Sequence, residues 1–238
     1  MSTYLVSDIH GDAVNFKKLL NIAGFQPDSD KIYIDGDIID RGNKSLELLL
    51  YIIDLKGKYP ENVWVVKGNH ELFLQYYVEG KLDENTWAAF GGADTIKDYN
   101  QLNRNIKKQI YEFIKALPLY YRINHPDQGT AIVTHSGLVT DAIVRNKQGK
   151  IDVERSIKKG LELDEYKFLI SSDIHIMPTV QLSEYMIVGH VPTIFLDDES
   201  YEILRKKNLL CIDSGSGYRK QGGKLSLYKL DDDSVMYI

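Results

Sequence analysis

The sequence predicts an α/β fold: one domain over residues 1–238, in which two packed mixed β-sheets are flanked by helices. Three observations carry that reading. Short apolar runs alternate with helix-period segments through the first third of the chain, the pattern of mainly parallel strands joined by helices. From Pro118 onward the chain turns strand-rich, which requires a second sheet. No low-complexity linker or internal repeat divides the 238 residues, which suffice to bury a substantial core.

The elements follow in order. Residues 3–7 form an apolar run without helical period, a buried strand. Residues 13–24 place Val14, Leu19, Leu20, Ile22 and Ala23 near one helical face, with Gly24 as the stop. Residues 31–34 read as the second strand, and the Leu-rich stretch 44–58 as a helix ending before Pro60. Residues 63–67 read as the third strand, and 71–78 begin a third helix. The middle, 83–117, is mostly helical with a break at Gly91-Gly92. Later strands are expected at 119–123, 131–134, 185–188, 209–213, 224–229 and 234–238, while the polar stretch 140–183 carries no clear period.

Composition narrows the function classes. With 43% hydrophobic and 26% charged residues the chain is an ordinary globular one. A net charge of −5 weighs against a nucleic-acid partner. The single cysteine, Cys211, allows no intramolecular disulfide and points to the reducing cytoplasm. Its apolar setting, Leu209-Leu210-Cys211-Ile212, reads as a buried strand residue rather than a nucleophile. No signal peptide is evident, and the longest apolar run, 48–53, is too short to span a bilayer, so no membrane partner is expected.

Ligands in open α/β sheets collect beyond the carboxyl ends of the strands, and three motifs stand there. Asp8-Ile9-His10 offers a carboxylate and an imidazole two residues apart, on one side of an extended chain. In Gly36-Asp37-Ile38-Ile39-Asp40-Arg41-Gly42, the Asp37 carboxylate can bridge two cations, and the Arg41 fork matches phosphate oxygens. In Gly68-Asn69-His70-Glu71, Asn69 can give a carbonyl oxygen to a metal, cap the helix, or do both. His70, oriented by Asp40, could act as acid for a leaving oxygen. His135 and Gly189-His190 follow later strands in the same way. Alone, each would be an ordinary solvated or structural residue; His125 and His175 lack any motif and are read as non-catalytic.

Together these residues resemble the metallophosphoesterase superfamily, and within it the phosphoprotein phosphatase branch. That branch holds bacterial and phage serine/threonine phosphatases and the related symmetrical diadenosine tetraphosphate hydrolases. Asp40-Arg41-Gly42, the full Gly-Asn-His-Glu and the ending His190-Val191-Pro192-Thr193 carry the narrower likeness. Gly91-Gly92 with Thr95 and Tyr99 resembles a segment of bacterial members, and Asp213-Ser214-Gly215 with Gly222-Gly223-Lys224-Leu225 resembles the closing strand pair. The resemblance implies a four-layer αββα sandwich and two divalent metal ions. Asp8, His10 and Asp37 would hold one ion; Asp37, Asn69, His135 and His190 would hold the other. A bridging hydroxide would attack phosphorus, with Arg41 and Asn69 on phosphate oxygens and the His70–Asp40 pair protonating the leaving group. The donor set suits Mn²⁺, the expected metal, with Fe or Zn²⁺ as alternatives.

One departure stands out. The family's second phosphate-binding Arg, in a Leu-Trp-x-Arg segment, has only Phe168-Leu169-Ile170-Ser171-Ser172 as counterpart, and Arg145 and Arg155 lack the expected context. The expected function is a serine/threonine protein phosphatase, with a phosphoprotein substrate. The alternative is a dinucleoside polyphosphate hydrolase, for which Trp87, Phe90 and Tyr99 could line an adenine groove or simply pack the core. A non-catalytic binding module would have lost metal ligands, and none is lost. A nuclease is disfavoured by the acidic balance and the Gly-His-Val-Pro-Thr ending.

Overall fold

In the computed structural model, which describes residues 1–177, 181–196 and 200–238, the N-terminal alternation is as the sequence indicates. It runs β1 (Thr3–Ser7), α1 (Ala13–Ile22), β2 (Lys31–Asp35), α2 (Ser45–Lys58), β3 (Val63–Val66) and α3 (Asn69–Val78). Two details differ. On α1 the buried stripe is Ala13, Phe16, Leu19 and Leu20, while Val14 and Ile22 face solvent; spacing of three to four residues selects the former set. Helix α3 begins before Glu71, with Gly68 rather than Asn69 at the N-cap, so Asn69 and His70 both lie on its first turn.

The middle is helical: α4 (Glu84–Trp87), α5 (Ala93–Gln101) and α6 (Arg104–Lys115). The break falls where expected, at Gly91, whose φ of 99° interrupts the helix between α4 and α5. The second half holds β4 (Tyr121–His125), β5 (Gly129–Val133), α7 (Val153–Leu163), α8 (Glu165–Ile170), α9 (Asp173–Ile176), β6 (Tyr185–Val188), β7 (Leu204–Lys206), β8 (Leu209–Cys211), β9 (Ser226–Lys229) and β10 (Ser234–Tyr237). Strand β4 lies two residues later than the stretch 119–123, because its register pairs Tyr121 with Val133 and His125 with Gly129. The unassigned stretch 140–183 contributes three helices in its described part.

Two five-stranded mixed sheets result, ordered β10-β9-β1-β2-β3 and β4-β5-β6-β8-β7. In the first, β1, β2 and β3 are parallel, β9 runs antiparallel to β1, and β10 antiparallel to β9. In the second, β5, β6 and β8 are parallel, with β4 and β7 antiparallel at the edges. Strand alternation divides the apolar residues among three cores. Leu5, Tyr33, Val66, Val133, Ile187 and Leu210 fill the space between the sheets. Val6, Ile34 and Val65 pack outward against residues of α1, α2 and α6. Ile132, Met186 and Val188 pack outward on the other side, against residues of α7, α8 and α9. This is the layered αββα arrangement, and it brings the carboxyl ends of the parallel strands of both sheets to one edge.

Candidate active site

Every candidate residue lies just past one of those strand ends. Asp8 and His10 follow β1, Asp37, Asp40 and Arg41 follow β2, and Asn69 and His70 follow β3; His135 and His190 follow β5 and β6. The connecting backbone is bent sharply. Asp8 (φ 50°), His10 (48°), Asp37 (49°), Asp40 (72°), Arg41 (64°) and His190 (70°) are all left-handed, a conformation that costs non-glycine residues energy and clusters at functional sites. This corrects the extended geometry assumed for Asp8-Ile9-His10. The loops also pass very close together: a Cβ on Gly36 would stand 2.7 Å from Gly68 Cα and 2.7 Å from His135 Nδ1.

Three histidines each have one ring nitrogen engaged by a backbone carbonyl. His10 Nδ1 lies 2.9 Å from Ile39 O, His135 Nδ1 2.9 Å from Asp35 O, and His190 Nε2 3.2 Å from Ile170 O. A carbonyl can only accept, so these nitrogens carry a proton; the opposite nitrogens of His10 and His190, kept neutral chiefly by burial, present lone pairs, and that of His135, where Asp37 outweighs burial and raises the pKa, does so once a cation takes the proton's place. Those lone pairs converge. His10 Nε2 is 3.7 Å from Asp37 Oδ2, and His135 Nε2 is 3.3 Å from Asp37 Oδ1 and 3.1 Å from Asn69 Oδ1. His190 Nδ1 is 3.0 Å from the same Asn69 oxygen. Two groups of candidate ligand atoms, His10–Asp37–His70 and Asp37–His135–His190, each fall within 4.8 Å of one another and share Asp37. Asp8 stands beside them: its Oδ2 accepts from Ser7 Oγ and from His190 N at 2.9 Å.

The fit to cations is good. Asp8 Oδ1 and His10 Nε2 are buried and have no hydrogen-bond partner among the described residues. Burial pushes the Asp8 carboxyl up to about 6 and leaves Asp35 and Asp213 well above the usual carboxylate range. Burial also opposes the charge on Asp37, but His135 and His70 outweigh it and hold that carboxyl well below the usual range. Buried acids short of countercharge, together with converging N and O donors and no thiolate, make a centre for hard to borderline divalent ions.

Beside this centre His70 Nδ1 donates to Asp40 Oδ2 at 2.7 Å. Burial lowers the affinity of the His70 imidazole for a proton, yet the carboxylates of Asp37 and Asp40 prevail and raise its pKa above the ordinary value. Arg41 Nη2 is 3.5 Å from His70 Nε2, and its guanidinium carbon lies 5.1 Å from the centre of the Tyr218 ring.

Three further residues, whose roles leave no signal in the sequence pattern, support the centre. Glu71 accepts from Gly68 N (2.9 Å), Asp37 N (2.8 Å) and Ile38 N (2.9 Å), tying the β2 and β3 loops together. Trp87, fully buried, donates from Nε1 to Asp40 Oδ2 at 2.7 Å. His175, read as unrelated to the site, is buried beside it, 2.8 Å from Gly189 O and with its ring 6.3 Å from that of His190. Its place on a four-residue helix, α9, gave no sequence signal. Of the aromatic groove candidates, Trp87 and Tyr99 are core residues, while Phe90 is exposed and stacks on Phe73 at 5.0 Å. Arg145 donates to Gly149 O and Arg155 pairs with Asp152, so neither is drawn to the centre.

Residues 1–215 match the calcineurin-like phosphoesterase family. The sequence is 28% identical over 172 residues to a protein from Psychromonas ingrahamii named symmetrical bis(5'-nucleosyl)-tetraphosphatase, covering 72% of this chain and 56% of that one. It is 29% identical over 174 residues to a protein of the same name from Actinobacillus succinogenes, covering 71% and 55%. The chain thus spans little more than half the length of these relatives. Its fold is similar to that of a serine/threonine phosphatase from Saccharomyces cerevisiae, with a TM-score of 0.63 at 14% identity, over 100% of this chain and 79% of the other.

Proposed function

The chain belongs to the calcineurin-like phosphoesterase family, and on that premise we propose that it hydrolyses the phosphoanhydride of dinucleoside polyphosphates with two divalent cations. The observation that carries the reading is the convergence of the His10, His135 and His190 lone pairs on Asp37 and Asn69, beside the Asp40–His70 pair. Asp8, His10, Asp37, Asn69, His135 and His190 would hold the ions, with Mn²⁺ as the proposed metal ahead of Fe or Zn²⁺. When bound, the ions neutralise phosphoryl charge and make water a nucleophile near neutral pH.

The protein's own groups account for the rest. Arg41, poised over Tyr218 at the edge of the centre, takes phosphate oxygens with its planar fork. Asp40 fixes the His70 tautomer through Nδ1, so Nε2 faces the reacting phosphate. His70 Nε2, the ring nitrogen turned away from Asp40, is placed to hand a proton to the departing oxygen. A protein phosphatase would use the same chemistry at phosphorus. The dinucleotide reading is preferred because both sequence relatives carry that name, whereas the likeness to the yeast phosphatase is one of fold.

The test is direct. Metal-stripped protein reloaded with Mn²⁺, Fe²⁺ or Zn²⁺ should convert diadenosine tetraphosphate to ADP as sole product, and faster than it releases phosphate from a phosphoserine peptide. A preference for the peptide would reinstate the protein phosphatase, and no turnover with any ion would end the enzymatic reading.

A further inference from the structure

We propose that the cavity beside Arg41 is a subsite for a chain of phosphates, holding the part of the substrate that extends beyond the phosphorus attacked. The proposal rests on the hydrolase reading above and names a recognition site for it. The cavity, about 910 Å³, starts at His10 and Arg41 and runs between the first turn of α1, the stretch 42–44 and the stretch 216–221. That volume suits a ligand of several phosphates and a nucleoside.

Its charge sets it apart from the rest of the molecule. Four lining residues are cations, Arg41, Lys44, Arg219 and Lys220, on a chain of net charge −5. Asp12 is the one acid among the described lining residues, and Arg219 already engages it, with Nε at 2.9 Å and Nη2 at 2.6 Å from Oδ2. Among the described residues Lys44 is held only by an exposed pair with Glu47 at 3.1 Å, which a phosphate can readily replace.

The cavity is continuous with the centre. Arg41 belongs to both, with Nη2 3.5 Å from His70 Nε2 and its guanidinium over Tyr218. Gly217 forms the floor between them: a Cβ there would stand 2.7 Å from His10 Cδ2 and 2.8 Å from Arg41 Cδ, so bare backbone separates the two spaces. The stretch 168–172 supplies no arginine to the centre, and its Phe168 and Leu169 are core residues. The additional cations lie instead on the Arg41 side. They extend away from the reacting phosphorus, where a single phosphate would leave them unused and a chain of phosphates would not. The Arg41 fork and the ammonium groups of Lys44 and Lys220 match phosphate oxygens, while Arg219, engaged by Asp12 and Gly223 O, holds the wall in place.

The probe is bis-methylene triphosphonate, a three-phosphorus chain that cannot be hydrolysed, titrated calorimetrically into the Mn²⁺-loaded full chain beside methylphosphonate. The triphosphonate should bind at least about tenfold tighter than the single phosphonate, and a Lys44→Ala/Lys220→Ala double variant should lose about tenfold or more of that affinity. The ratio of kcat/KM for diadenosine tetraphosphate to that for p-nitrophenyl phosphate should fall by a similar factor. Unchanged triphosphonate affinity in the variant overturns the subsite, as does equal loss on both substrates. An oligo-aspartate peptide competing as well as the triphosphonate overturns the assignment to phosphate. Lysine-dependent triphosphonate binding without turnover of either substrate would sustain the subsite and overturn the hydrolase reading. Turnover indifferent to the double substitution would do the reverse.

Discussion

Asp40 Oδ2 is the acceptor of two short hydrogen bonds, from His70 Nδ1 and from Trp87 Nε1, both 2.7 Å. The pair is therefore a triad in which the indole fixes the carboxylate and the carboxylate fixes the imidazole. His70→Asn should lower kcat by roughly 10²–10⁴-fold, the range for removing a general acid, while Mn²⁺ binding measured by calorimetry persists. Loss of both metals in that variant would make His70 a ligand instead, a role its place in the His10–Asp37–His70 group leaves open to test. Trp87→Phe keeps an aromatic ring in the core but deletes the donor; kcat should fall about tenfold, equivalent to about 1.4 kcal/mol, with KM little changed. A normal kcat would reduce Trp87 to packing. Glu71 acts on backbone rather than on substrate. Among the described residues its carboxylate faces only N–H donors, from Gly68, Asp37, Ile38 and Ile39, so Glu71→Gln must turn an NH₂ toward at least one of them. The cost is about 1–3 kcal/mol, and thermal denaturation of the metal-free variant should show a Tm lower by several degrees. The candidate ligand residues are legible because most of them sit in short local motifs at strand ends. The supporting ones are not, since a bond from Trp87 to Asp40 spans 47 residues and leaves no local spacing to read.

At the scale of elements, legibility followed pattern length. Helix α2, with fourteen residues and a dense Leu stripe, and the parallel strands β1, β2 and β6, buried along most of their length, were plain in the sequence. Edge strand β7 has three residues, Leu204–Lys206, two half-buried and one exposed, too few to show alternation. Helices α8 and α9 have six and four residues and bury only part of one face each, so their tertiary contacts, not periodicity, define them. The break between α4 and α5 was read correctly as a glycine pair, but its purpose became visible only in three dimensions. Gly91 O accepts from Arg41 N at 2.9 Å, and Gly92 lies flat against the Trp87 indole, closer than any Cβ could approach. This segment thus braces Arg41 with one glycine and the Trp87–Asp40 bond with the next. Gly92→Ala should displace the indole from Asp40, so its kcat defect should match that of Trp87→Phe, and combining the two should add little. Fully additive defects in a double-mutant cycle would separate the glycine from the triad.

For the whole molecule, the centre is where the two sheets are joined by side chains rather than by core packing. Asp8, Asp37 and Asn69 come from the first sheet and His135 and His190 from the second, and β1 and β6 deliver Asp8 and His190 within 2.9 Å of each other. The sequence could place each candidate ligand at a strand end, but which strand ends meet depends on how the sheets pack, and that is a property of the inter-sheet core of Leu5, Val66, Val133 and Ile187. Cations held by both sets of proposed ligands would therefore stabilise the sheet-to-sheet arrangement itself. By mass action, each Mn²⁺ at 100 times its Kd should add about 2.7 kcal/mol. For a chain of this size that corresponds to a rise in Tm of roughly 5–10 °C per ion. Asp37→Asn removes the one carboxylate shared by both ligand groups and should abolish most of the rise, whereas His190→Ala, which touches one group, should leave part of it. Differential scanning calorimetry of the stripped and loaded proteins measures both. An equal, undiminished rise in Asp37→Asn would mean that the ions bind elsewhere than at this junction of the sheets.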